Sequence, residues 1–177
     1  MMSKNSFLAN VKENNKRRLW VWAVSILAFV LIFPVYVALC IEKVYNSVEW
    51  IAKNYGIELA NQVLYNSLIG EMQNALGFSW VIMLMTAGIA LFSAIQGFSY
   101  LYSRKKIDFY MGMPVKRKKR FLIIWFNGIL LYILPYLAGL CISILIAAGN
   151  GAVNGAVIRS AFIAFGVHLL FYLCVYQ

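Results

Sequence analysis

Four long stretches of this chain carry no charged residue: 19–41, 78–102, 121–158 and 160–177. Nothing else in the sequence restricts the fold as much. About twenty apolar residues at 1.5 Å rise cross a hydrocarbon core of roughly 30 Å. In lipid the backbone must satisfy its own hydrogen bonds, so such runs become helices. The third run holds 38 residues, more than one crossing needs, and Gly149-Asn150-Gly151 is a turn signal inside it. The helix therefore ends near Ala148, with a short outer loop over 149–158. The predicted spans are 19–41, 78–102, 121–148 and 158–177. The expected fold class is all-α: a polytopic transmembrane helical bundle with an amphipathic outer segment and a short cytoplasmic helix between the second and third spans.

Composition agrees. Hydrophobic residues make up 63% and charged residues 12%, against roughly 45–50% and 25% in a soluble domain. The net charge of +10 would suit nucleic acid if it formed one patch, but it is arranged otherwise. Five Lys/Arg precede the first run, in the segment 1–18, and eight lie in 102–120. The outer stretches hold two, Lys43 and Lys53, and one, Arg159. Thirteen against three follows the positive-inside rule, so both termini are placed in the cytoplasm of a multi-pass cell-membrane protein. No nucleic-acid partner is expected, and the lipid bilayer is the solvent of the spans.

The segment 1–18 carries a small apolar face, Phe7, Leu8 and Val11, suited to the membrane surface or to a solvated tail. Trp20 and Trp22 suit the cytoplasmic interface, and Pro34 is tolerable within a membrane helix. The first run is too long for a signal-peptide core and no small-x-small site follows it. Leu39 stands where a lipoprotein site before Cys40 would need a small residue.

In the outer stretch 42–77, Lys43 and Lys53 face Glu42, Glu49, Glu58 and Glu71. Ile51, Tyr55, Leu59 and Val63 recur every four residues. That pattern predicts one or two amphipathic helices folded over the membrane domain, as a packed connector or a substrate gate. Inside the second span, Ala90 and Ala94 permit close helix approach. Three intramembrane polar residues are candidates for lining a pathway or for packing. Gln96 lies near the cytoplasmic end, Asn127 is inside the third span beside the helix-bending Pro135, and His168 is central in the fourth. His168 is either a proton relay or a satisfied packing residue. Cys40, Cys141 and Cys174 show no metal or disulfide spacing and read as packing residues. No metal site or cofactor is expected. The fourth run reaches the chain end with no basic stop, which is expected of an N-terminal portion whose further helices lie elsewhere.

The loop 102–120 holds half of all Lys/Arg, yet also Ile107, Phe109, Tyr110, Met111 and Met113. Ile107, Tyr110 and Met111 stand at i, i+3 and i+4, one face of a short helix. Gly112 and Pro114 would end it. Asp108 can pair with Arg104, with Lys105 or with a cation on a partner. A purely topogenic loop needs no apolar face. A rigid handle for a soluble, ATP-hydrolysing partner does, because force in its groove becomes tilt of the attached helices.

Tyr102-Ser103-Arg104-Lys105-Lys106-Ile107-Asp108-Phe109-Tyr110, then Met113-Pro114-Val115-Lys116-Arg117, Asn127-Gly128 and Leu134-Pro135-Tyr136, resemble the membrane-spanning permease subunit of bacterial type-2 ABC transporters, the exporter-like family of Gram-positive bacteria. Asn15-Lys16-Arg17-Arg18-Leu19-Trp20 and Pro34-Val35-Tyr36 are similar to the start of the same permeases. Where the family often shows His-Ser-Leu-Pro, this chain has Met111-Gly112-Met113-Pro114. Family members commonly have six or more spans. The resemblance implies that Lys106, Ile107, Asp108, Phe109, Tyr110 and Met111 form the coupling helix that docks a separate ATP-binding subunit. It also implies a second permease subunit, identical or different, enclosing the pathway. The chain has no Gly-x-x-x-x-Gly-Lys-Ser/Thr loop of its own, so ATP hydrolysis is expected from the partner and the chain is not expected to be an enzyme. A membrane-bound enzyme would need clustered acids, His or Cys, and the spans offer one His. The alternative reading is a truncated or small non-transporting integral membrane protein, a sensor component or an assembly partner.

Overall fold

A computed structural model describes residues 19–98 and 117–176. Every element among them is helical. Helix α1 (Leu19–Ile26) runs through a π-helical stretch (Leu27–Ile32) into α2 (Phe33–Tyr55), one uninterrupted helix of 37 residues. Helix α3 (Ile57–Leu76) returns, and α4 (Trp80–Phe98) continues it after a break at residues 77–79. Helix α5 (Arg117–Gly149) and α6 (Gly155–Tyr176) form a second hairpin. Four helices are long and apolar enough to cross a membrane: Leu19–Tyr55, Ile57–Phe98, Phe121–Gly149 and Gly155–Tyr176. The four-span expectation holds at that level.

The π-helical stretch has a local cause. Pro34 has no N–H, and in an α-helix its ring would press on the carbonyl four residues back. Widening the turn just before Pro34 relieves the conflict. Pro135, by contrast, lies inside α5 with helical residues on both sides.

The first hairpin keeps one antiparallel register from end to end. Trp20 meets Phe92 edge-on at 4.6 Å. Ser79 Oγ donates to Tyr36 Oη at 3.1 Å, and Lys43 Nζ reaches Glu71 at 3.2 Å. Gly56 makes the reversal with φ 100°, a left-handed conformation that costs a side-chain-bearing residue energy. In the second hairpin, Tyr176 lies opposite Ile124 and Tyr172 opposite Gly128. Phe98 touches both Phe121 and Tyr176, so α4 ends where α5 begins and α6 finishes. Leu19 starts at that same end, since Trp20 packs on the last turns of α4.

Three expectations change. Residues 42–55 form no separate helix but extend the first span, because nothing between Pro34 and Gly56 breaks a helix. The stripe Ile51, Tyr55, Leu59, Val63 is divided by Gly56 between two antiparallel helices, and Tyr55 and Leu59 are exposed. The buried seam is instead Val44 and Val48 against Ala60, Leu68 and Ile69. The fourth helix starts at Gly155, not 158. Asn154 Oδ1 accepts the Val157 N–H at 2.9 Å, an N-cap that leaves Arg159 inside α6.

Gly139 of α5 abuts the Phe29 backbone, and the two helices run the same way. Gly149 is therefore level with about residue 39, and α2 runs on past it by roughly fifteen residues, about 20 Å. The molecule is thus a four-helix body with a two-helix arm at one end.

Candidate functional site

The interior of the body is lined by aromatic rings spaced four residues apart. His168, Tyr172 and Tyr176 face inward from α6, and Tyr132 and Tyr136 from α5, all fully or almost fully buried. Four-residue spacing keeps each set on one helix face. Phe29 and Phe33 close the stack from the π-helical stretch and the first turn of α2. Their centroids lie 5.2 and 5.7 Å from that of Tyr136. Tyr132 stacks on Tyr172 at 4.4 Å, and Tyr172 on Tyr176 at 5.6 Å.

Each inward hydroxyl of α6 is spent on the partner helix. Tyr172 Oη donates to the Gly128 carbonyl at 2.8 Å and Tyr176 Oη to that of Ile124 at 3.0 Å. A carbonyl has two acceptor sites, so the helical bonds of α5 need not be surrendered. In lipid, where apolar contact alone gives helices no preference for each other over the acyl chains, such bonds fix the pairing. Gly128 makes room for this: a Cβ there would run into the Tyr176 ring.

His168 ends the series differently. Its Nδ1 lies 3.1 Å from Tyr136 Oη. Its Nε2 has no hydrogen-bond partner, although the residue is only 1% exposed. If Nδ1 accepts the tyrosine proton, Nε2–H lacks an acceptor; in the other tautomer Nε2 lacks a donor. Either way a buried polar atom is unmatched, at a cost of about 1–3 kcal/mol. Phe78 stacks on the imidazole at 5.9 Å and 24°, yet is 67% exposed. One ring therefore separates the imidazole from the outside. No fully charged side chain is buried among the described residues.

Asn127 and His168, two of the three predicted intramembrane polar residues, do not converge. Asn127 is fully buried and His168 nearly so, but Asn127 precedes Tyr136, the partner of His168, by nine residues, about 13 Å along α5. Gln96 is half-buried in the last turn of α4. Ala90 faces the interior and Ala94 is half-buried. Lys106, Ile107, Asp108, Phe109, Tyr110 and Met111 lie outside the described residues, as does the segment 1–18. The tyrosine seam was missed. Its signal was present, since 168, 172 and 176, like 128, 132 and 136, repeat at four residues, but apolar-run counting treats Tyr as a hydrophobe.

No protein family, curated protein or solved structure matches this chain. Fold and site together define a helical bundle of membrane-span dimensions, held by a buried tyrosine seam and carrying one imidazole at its edge.

Proposed function

We propose that this chain is the permease subunit of an ABC transporter. It forms part of a translocation pathway and docks a separate ATP-binding subunit through the 103–120 loop. The reading places it in the cell membrane with its N-terminus in the cytoplasm, beside a second permease subunit. The observation that carries it is the resemblance over 102–120 to type-2 permeases, in a loop with eight Lys/Arg around an apolar face. The placement of the flanking helices supports it. Phe98 at the end of α4 packs on Phe121 at the start of α5, 6.2 Å between ring centroids. A ligand-driven push on the intervening segment would act on both helices together.

The test is a mild-detergent pull-down of the tagged chain from its native membrane, beside a variant carrying Ile107→Asp and Tyr110→Asp. Copurification of an ATP-binding subunit with the original chain and its loss with the variant is the expected result. A well-folded chain that brings down no ATPase in either form would overturn the reading and leave the non-transporting membrane protein in its place.

A further inference from the structure

Residues 77–79 interrupt the second long helix beside the one imidazole of the chain. Gly77 departs from helical geometry (φ −88°, ψ −126°), and a Cβ there would collide with the Gln73 carbonyl. Within the break Ser79 N–H turns back to Gly77 O at 3.0 Å, and the regular ladder resumes with Met83 N–H to Ser79 O at 3.1 Å. The Ser79 hydroxyl is tied across to Tyr36 Oη at 3.1 Å. Between these two buried residues Phe78 points one ring face at His168 and leaves the other open. A short break with few backbone bonds is the cheapest place in a helix to open.

We propose that His168 is a proton-binding site gated by Phe78, and that proton uptake opens the break at residues 77–79. The structure gives the reason. A neutral imidazole bonded to Tyr136 fits the closed arrangement apart from Nε2. An imidazolium has two N–H donors and a full charge. Tyr136 Oη can accept one donor by turning its own proton away. The second donor has no acceptor, and the charge has no carboxylate facing it among the described residues. Water is the remaining stabiliser, and displacing Phe78, which is 67% exposed, would open the imidazole to it.

The surroundings are otherwise almost free of titratable groups. Helix α1, the π-helical stretch and α4 contain none. Helix α5 brings Tyr136, with Tyr132 behind it in the ring stack. Helix α2 brings Tyr36, bonded to Ser79, and Cys40 beside it. Helix α3 brings Glu71, paired with Lys43 of α2. Helix α6 itself carries Tyr172, on the same inward face one turn from His168 and bonded to the Gly128 carbonyl, and Arg159, next to the Ser160 that Gly77 approaches. This gate does not depend on the transporter reading.

The chain has a single histidine, so its imidazole signals need no assignment. The full chain, labelled with 15N-histidine and held in lipid nanodiscs, is titrated between about pH 8 and pH 5. Amide exchange at residues 77–80 is followed in parallel and corrected for the intrinsic pH dependence of exchange. The expected result is an imidazole that titrates in this window and an opening population that rises with it. The rise approaches about tenfold per pH unit above the imidazole's observed midpoint, between it and the higher pKa of the open state, and levels off below that midpoint, as one linked proton requires. His168→Phe should abolish that slope. Phe78→Ala, which removes the cover and leaves the imidazole in place, should raise exchange at all pH values and flatten it. An imidazole that does not titrate overturns the proposal. So does one that titrates without any response at residues 77–80, or a slope that survives in His168→Phe. If His168→Phe does not fold, the wild-type titration and Phe78→Ala still decide.

Discussion

The arm and the body of this molecule are both antiparallel helix pairs, but they are held by different physics. The arm, α2 beyond Ile41 with most of α3, buries Val44 and Val48 against Ala60, Leu68 and Ile69. Its charged residues lie outward, two of them joined across the pair as Lys43 and Glu71. That is how helices associate in water: an apolar seam is removed from solvent, and the hydrophobic effect rewards each residue buried. The body has apolar residues on every side, with Leu84, Leu91, Leu134, Leu145 and Leu170 all facing outward. Burying another leucine gains little there if the alternative is lipid. What distinguishes paired from separate helices in the body is close backbone approach at Gly139, room for the Tyr176 ring at Gly128, and hydroxyl-to-carbonyl bonds from Tyr172 and Tyr176.

Four substitutions break or sharpen that contrast. The largest effect is expected from Gly139→Leu, because the added side chain meets the Phe29 backbone carbonyl, which cannot swing aside. A loss of about 3 kcal/mol or more in the body should appear as a lowered midpoint of thermal unfolding in detergent. Next comes Leu68→Ala in the arm, costing about 2–3 kcal/mol by the cavity it leaves. Its mark is locality: amide exchange should rise over 42–76 while the tyrosine seam stays protected. An equal response in the body would mean that arm and body are one cooperative unit.

Tyr172→Phe removes one hydroxyl and keeps the ring. It should cost about 0.6 kcal/mol, the average for a hydrogen bond between membrane helices, and loosen α6 from α5 without touching the arm.

The smallest effect belongs to the arm's ion pairs. Glu71, by its hydrogen bond and charge, holds the Lys43 ammonium above its ordinary pKa. That contribution is complete below the usual lysine value and lost only in strong alkali. Lys53 holds the Glu49 carboxyl below its ordinary value. Its contribution is present at neutral pH and disappears as pH falls through the acid range. Lys43 is well exposed although Glu71 is half-buried, and the Glu49–Lys53 pair is open to solvent, so Lys43→Gln should change the stability of the arm only slightly, and less still at high salt. A large effect would show that the arm is held by charge and not by its seam.

How much of this could be read from the residues varies with the region. The four helices of membrane-crossing length were legible because charge is excluded from hydrocarbon, and a charge-free run of twenty residues has few other uses. The extent of the helices was not. Hydropathy reports where lipid ends, whereas a helix ends where a breaker stands, so α2 runs on to Gly56 well past the first charge at Glu42. The amphipathic stripe through Tyr55 and Leu59 failed because periodicity is blind to a reversal at a single glycine. His168, Asn127 and Gln96 were found as polar residues in apolar runs, but nothing in their spacing shows that His168 and Asn127 lie apart in the bundle.

The sequence by itself determined the helical class and the number of helices long and apolar enough to cross a membrane, and the predicted orientation rests on the placement of Lys/Arg alone. These depend on properties summed over a local stretch: charge, length and backbone hydrogen bonding in lipid. Only the tertiary structure decided that the tyrosines of α5 and α6 form one seam, that Gly139 lies on Phe29, and that Phe78 covers His168. Each is a contact between residues far apart in the chain, set by the register of one helix against another. That register is a collective outcome of packing, in which glycine gaps and hydroxyl bonds must match along whole helices at once.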